Sequence, residues 1–156
     1  MPPRHAMPTP VATNPESAIL GAMPGERLPD LLGAGAAAVR GTPSMNLRLA
    51  GAGRFGTTRR PQVLWAGLDG DVQPLVDLAE RLRAAVGALG LPLEDRPFRP
   101  HLTLARWRPG RPADGTLPDR LAGYRGPEWP AAEVRLLESS LGPVPRYDTV
   151  AGWPIP

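Results

Sequence analysis

The end of the chain constrains the fold more than any other part of the sequence. Two segments with strand character, residues 133–141 and 146–153, are separated only by the four residues 142–145, which read GPVP. Parallel neighbours need a crossover of a dozen or more residues, whereas four residues are enough to join antiparallel strands. The segments therefore predict an antiparallel hairpin and disfavour a doubly wound parallel sheet.

Helical and extended segments alternate through the rest of the chain, as hydrophobic periodicity and turn residues indicate. Asp71 is a good N-cap for the clearest helix, and Gly90 supplies its stop. Residues 51–56 are glycine-rich and are expected to form a flexible connection. We predict further strands over 45–50, 62–68 and 101–106 and helices over 26–39, 71–90 and 117–124, the last inside a loop-like stretch over 108–132. The mixture predicts an α+β fold.

The domain organisation follows from the same pattern. Residues 1–25 are proline-rich and show neither a helical nor a strand period, so they are expected to form an irregular tail. Residues 26–156 are long enough for one domain with its own core.

Composition narrows the chemistry. The chain has no cysteine, which excludes disulfides, thiolate nucleophiles and cysteine zinc sites, and two histidines make a histidine metal cluster improbable. We therefore expect neither a metal nor another cofactor. No apolar stretch reaches the roughly 18 residues of a membrane helix, so a cytoplasmic protein without a membrane contact is expected. The net charge of +3 comes with arginine as the only basic side chain type, which suits an anionic partner such as RNA.

Residues 99–106 carry the most concentrated chemistry. Alternation along a strand directs His101 and Thr103 to one face and Leu102 and Leu104 into a core on the other. An imidazole beside a hydroxyl on a rigid strand is able to hold and protonate a phosphate oxygen. A solitary histidine on a strand is nevertheless more often structural than catalytic.

Two other side chains leave alternatives open. Regular alternation puts Arg106 on the face opposite His101, so that a phosphate contact requires a bulge, and an exposed strand end is the simpler interpretation. Phe55 is able to stack on a base, although packing under a loop is the more common role for such a residue.

The residues around His101 resemble a known motif. Residues 98–106 read FRPHLTLAR, which is similar to the second signature of the two-histidine (2H) phosphoesterase superfamily. The closest similarity is to its branch of RNA 2′,3′-cyclic phosphodiesterases, also called 2′-5′ RNA ligases. Residues 49–56, 63–68, 91–98 and 138–143 also resemble that branch, in family order, so the resemblance covers about 26–154.

The resemblance implies a bilobal fold of antiparallel sheets with flanking helices, in which each lobe contributes one His-x-Thr motif. It implies opening of a 2′,3′-cyclic phosphate to a 2′-phosphate without a metal, one histidine acting as general base and the other as general acid. His101 and Thr103 are then catalytic, and Arg106 contacts the substrate. The implied partners are RNA ends or nucleotides with a 2′,3′-cyclic phosphate, bound by a monomer.

The first motif departs from the family pattern. Residues 19–21 resemble its end, and counting back places Asn14 where the histidine belongs and Glu16 where the threonine belongs. His5 lies too far upstream. We therefore predict an incomplete N-terminal lobe and impaired activity, through either an altered N-terminus or a degenerate site. The alternatives are a non-catalytic RNA- or nucleotide-binding remnant and an unstable gene product.

Overall fold

The structure, a computed structural model, describes residues 23–91, 93, 97–140, 144 and 146–156. It confirms the α+β fold. A 3-10 turn at Gly25–Arg27 leads into the first helix. The helices are α1 (Leu28–Val39), α2 (Val72–Ala88) and α3 (Leu117–Arg120), and the strands are β1 (Asn46–Gly56), β2 (Pro61–Gly70), β3 (His101–Arg106), β4 (Arg125–Pro130), β5 (Glu133–Ser140) and β6 (Arg146–Pro154).

Two sheets carry the strands of the described ranges. One has four strands in the order β3-β2-β1-β4, with every neighbouring pair antiparallel. The other is the antiparallel pair β5–β6. The hairpin predicted at the end of the chain is therefore confirmed. The division into a tail over 1–25 and a domain over 26–156 stays a prediction, because residues 1–22 lie outside the described residues.

Two segments predicted as connections are strands. β1 continues to Gly56, with a register shift between Ala50 and Ala52, so residues 51–56 are extended and paired with β2. β4 lies within the stretch predicted as loop, and α3 ends at Arg120 rather than at 124. β4 contains two prolines and lies at a sheet edge, where a missing backbone donor is tolerated.

One hydrophobic cluster joins α1 and α2 to both sheets. Its buried members are Val39, Met45, Leu47, Leu78 and Ile155, from α1, the start of β1, α2 and the C-terminal end. Partly buried side chains of β5 and β6 pack against the same cluster. The final hairpin is thus attached to the four-stranded sheet through shared apolar contacts.

Asp71 is the N-cap residue of α2, as predicted, but its side chain does not cap the helix. Its side chain makes no capping hydrogen bond; its Oδ2 accepts from the Asn46 backbone N–H at 2.8 Å. The Asp71 N–H in turn donates to the Asn46 carbonyl at 2.9 Å. The pair fixes the start of α2 to the start of β1. Gly90 ends the helix region at φ 70°, as predicted.

None of the helices in the described ranges is long and apolar enough to cross a membrane.

Two glycines of α1 give a matched test of the packing. An added Cβ at Gly33 meets no atom within 4 Å, whereas at Gly35 it lies 2.6 Å from Trp153 of β6. Gly33→Ala should raise the free energy of unfolding by about 0.5–1 kcal/mol, because alanine loses less backbone entropy. Gly35→Ala should lower it by about 1–3 kcal/mol through overpacking. Thermal melting measures both, and equal shifts of the two variants would contradict this packing.

Candidate functional site

His101 and Thr103 share one face of the four-stranded sheet, as the sequence predicts. His101 pairs with Gly67 and Thr103 pairs with Trp65, and both partners lie on β2 two residues apart. Paired residues of antiparallel strands project to the same side of the sheet. We call this side the site face, and both side chains on it are partly buried.

A bulge in β3 brings Arg106 to the site face. Between Thr103 and Ala105 the strand contains one residue more than β2, because Trp65 pairs with Thr103 whereas Leu64 pairs with Ala105. The extra residue resets the alternation. Arg106 consequently pairs with Val63, which lies on the same side of β2 as Trp65. Of the two alternatives for Arg106, the register supports the one that places it beside the site.

The bulge also corrects the prediction for Leu104. Regular alternation predicted a core position, but its side chain is 46% exposed, while Leu102 is partly buried. Leu104 is the residue that the bulge adds, and β3 is an edge strand. Leu104 therefore has no directly paired residue on β2 against which to pack.

The imidazole of His101 has a defined proton arrangement. Its Nδ1 lies 2.5 Å from the carbonyl oxygen of Arg99. A carbonyl oxygen only accepts, so Nδ1 carries the hydrogen and donates it. In the neutral ring, Nε2 is then the atom that accepts a proton. Nε2 is shielded from solvent in this structure. The hydrogen bond at Nδ1 thus leaves Nε2 as the ring atom that bears the lone pair in the neutral tautomer.

Two aromatic side chains support this imidazole. The Phe55 ring meets it edge to face, with centroids 5.0 Å apart and planes at 83°. The Trp65 ring lies 6.1 Å from it and 5.8 Å from Phe55. Edge-to-face packing is the arrangement that ring quadrupoles favour. Phe55 therefore packs against the candidate catalytic ring. The sequence predicted either stacking on a base or packing under a loop, and neither prediction included this contact.

Trp65 itself depends on a glycine. It pairs with Gly53 of β1, and a Cβ at that position would overlap the indole ring. The ring therefore lies across the bare backbone of Gly53. No acceptor for its buried indole N–H occurs among the residues the structure describes. The glycine-rich sequence of 51–56 thus serves a packing function rather than chain flexibility.

Charged pairs occupy the far part of the site face. Arg48 contacts Glu128 at 3.1 Å, and Arg125 contacts Asp69 at 2.5 Å. The pKa of Asp69 is lowered, first by the backbone hydrogen bond from Gly70 and further by Arg125. Both arginines are thus matched with carboxylates, whereas Arg106 has no ion pair within the described ranges. Arg106 is thus the arginine of this face whose charge no carboxylate of the described ranges neutralises.

Asn14, Glu16 and His5 all lie outside the described residues. Across the described part of the chain, no three histidine or acidic side chains are grouped so as to hold a metal ion. Within the described ranges, the candidate site consists of one imidazole, one hydroxyl and one guanidinium on β3.

Comparisons with known proteins identify the family. The model of the 2′-5′ RNA ligase superfamily matches residues 16–143. An RNA 2′,3′-cyclic phosphodiesterase of Thermus thermophilus is 36% identical over 80% of this chain and 62% of its own length. One of Geobacillus stearothermophilus is 32% identical over 88% of this chain and 44% of its own length. The chain thus spans about half the length of these curated relatives.

A solved structure agrees with the sequence comparisons. The crystal structure of TT0787 of Thermus thermophilus superimposes with a TM-score of 0.68 at 33% identity, over 87% of this chain and 74% of that one. The fold is therefore that of a 2H phosphoesterase. The chain belongs to the 2′-5′ RNA ligase superfamily.

The support of His101 by Trp65 gives a prediction independent of activity. Gly53→Ala should displace the indole, disturb the ring packing and lower the free energy of unfolding by about 1–3 kcal/mol. Because the chain has two histidines, the ring signals of His101 are readily assigned by NMR. They should shift in Gly53→Ala and stay unchanged in the control Gly33→Ala. Unchanged His101 signals in both variants would show that Trp65 does not set the ring position.

Proposed function

We propose that this chain performs the cyclic phosphodiesterase chemistry of its family on RNA ends or nucleotides with a 2′,3′-cyclic phosphate. The observation that carries the proposal is the bulge in β3. It groups His101, Thr103 and Arg106 on one face, although regular alternation would separate Arg106 from the other two. The relatives named as RNA 2′,3′-cyclic phosphodiesterases supply the substrate class. A monomeric, cytoplasmic protein is part of the same proposal.

The three side chains have complementary roles in this reaction. The oxygen of a water molecule attacks phosphorus, the bond from phosphorus to the 3′ oxygen breaks, and a 2′-phosphate remains. Nε2 of His101 accepts the proton of the water or donates one to the leaving 3′ oxygen. The Thr103 hydroxyl donates to a phosphoryl oxygen, and Arg106 balances its charge.

One imidazole does not complete the acid–base cycle efficiently. The reaction needs a base for the water and an acid for the leaving oxygen, and His101 serves as one of them in a turnover. Asn14, which counting back from residue 21 places at the position of the other histidine, does not transfer protons. Loss of one general acid–base group typically lowers the rate by about 10²- to 10⁴-fold. We therefore propose impaired rather than full activity.

A direct assay tests this proposal. With an oligonucleotide ending in a 2′,3′-cyclic phosphate, turnover should be slow and should yield a 2′-phosphate, and His101→Ala should abolish it. Thr103→Val keeps the side-chain shape and should reduce the wild-type turnover by about tenfold through loss of the phosphate contact. Turnover comparable to a two-histidine relative, lost in His101→Ala, would contradict the impairment. Slow turnover that survives His101→Ala would contradict the site.

Arg106 has its own test. Arg106→Gln should raise KM for the cyclic phosphate and lower kcat/KM by about 10- to 100-fold, since a charge-assisted contact contributes about 1.5–3 kcal/mol. Arg40→Gln removes an exposed arginine at the end of α1 and is the control. If wild type and Arg106→Gln had equal KM and kcat/KM, Arg106 would be only the exposed end of the strand and would not contact the phosphate.

The replacement of the first motif favours a second candidate function. A protein with Asn14 and Glu16 at those positions retains a phosphate-binding strand while lacking one proton-transfer group. It would act as an RNA- or nucleotide-binding protein. Binding of the cyclic-phosphate oligonucleotide that survives His101→Ala, with no product from either form, would favour this candidate.

A further inference from the structure

Five arginines gather at one end of the four-stranded sheet, and we call this group the basic tip. Arg59 and Arg60 lie in the turn between β1 and β2, Arg106 ends β3, and Arg108 and Arg111 follow it. All five are exposed. Two distant segments of the sequence therefore present their arginines on the same part of the surface.

Backbone contacts hold the two segments together. The Trp107 N–H donates to the Gln62 carbonyl at 3.0 Å, directly after Arg106 pairs with Val63. Farther along, Gly115 lies so close to Thr58 that a Cβ there would overlap its backbone. Arg54 fixes this contact by donating to the Gly115 carbonyl at 3.0 Å and to the Thr58 hydroxyl at 2.5 Å. The loop after β3 thus runs along the turn that carries Arg59 and Arg60.

Among the residues that the structure describes, no carboxylate neutralises the charges of the basic tip. Residues 31–68 contain no aspartate or glutamate, and neither do residues 97–113. None of the five arginines has an ion pair in the described part of the chain, in contrast to Arg48 and Arg125. Asp114 is the first acidic residue after the tip, and its Oδ1 accepts from the Thr116 N–H and hydroxyl. An uncompensated cluster of exposed guanidinium groups fits a partner with many phosphates.

We propose that the basic tip binds the phosphodiester backbone of an RNA whose end lies at His101. The inference rests on the proposed function for the position of that end. The backbone of β3 runs from His101 to Arg106 over about 15 Å, so the four other arginines of the tip lie beyond the end of the strand that carries the reaction site. Arg106 belongs to both surfaces and joins them. The tip contacts phosphates, so it selects RNA by length and charge rather than by sequence.

Salt-dependent binding tests the tip separately from catalysis. The probe is a single-stranded 20-nucleotide RNA, made with either a 2′,3′-cyclic phosphate or a 3′-hydroxyl end. The variant Arg60→Gln/Arg108→Gln removes one arginine from each segment and leaves Arg106 in place. The control Arg40→Gln/Arg135→Gln removes the same charge from exposed positions outside the four-stranded sheet. Thermal melting establishes that both variants fold.

The expected result is a change in the salt slope. Each lost contact to single-stranded RNA should reduce the slope of log K against log salt concentration by about 0.7, so the tip variant should lose about 1.4 with either RNA end. The control should keep the wild-type slope, and binding of a cyclic mononucleotide should be equal in all three proteins. Adding Arg59→Gln and Arg111→Gln to the tip variant should double the loss.

Three outcomes would overturn the proposal. If the slope of log K against log salt concentration fell equally in the tip variant and the control, the net charge of the protein would explain the effect. An unchanged slope in the tip variant would exclude contact with RNA. A loss restricted to the cyclic-phosphate end would assign these arginines to the reaction site. Since both RNA ends are measured by binding alone, absence of hydrolysis would refute the proposed function without affecting this test.

Discussion

The pairing of β1 with β2 is the interaction on which the rest of the structure depends. β3 and β4 attach to its two sides, so neither has a sheet to join without it. It sets Phe55 and Trp65 on the face that receives His101, and it carries the turn with Arg59 and Arg60. On its other face, Leu47 enters the core with α2. One long hairpin thus positions the site, the basic tip and part of the core.

Irregularities in the strands determine the chemistry of the site face. The register shift at Ala50 lets Gly53 face Trp65, and the bulge at Leu104 turns Arg106 toward Thr103. Bulges of this kind redirect side chains at the cost of a locally unpaired residue. Here that residue is an exposed leucine on an edge strand, where the cost is small. The site therefore depends on departures from ideal β-structure as much as on the strands themselves.

Periodicity was sufficient to predict the elements whose apolar pattern is regular. α1, α2, β2, β3 and the final hairpin were predicted within a few residues, and the motif at His101 gave the family. β4 was missed because its short, proline-containing sequence has no clear alternation, and its pairing with β1 is long-range. The second half of β1 was missed because glycines usually indicate a loop. In this protein they accommodate an indole.

Regular periodicity also made part of the site predictable. His101 and Thr103 follow from alternation and from the resemblance, whereas the position of Arg106 depends on a bulge that no local signal in residues 101–106 reveals. The support from Phe55 and Trp65 depends on the register between β1 and β2, which is a tertiary property. Residues that act through cross-strand contacts become visible only when the pairing is known.

The contact between Gly53 and Trp65 has a consequence for sequence evolution. Position 53 is not free to change first, because a Cβ there collides with the indole, whereas a smaller side chain at 65 only leaves the bare backbone uncovered. A larger residue at 53 becomes acceptable once 65 has become small, so the order of the two substitutions matters. The pair is therefore a site of epistasis, and its indole ring lies 6.1 Å from the ring of His101.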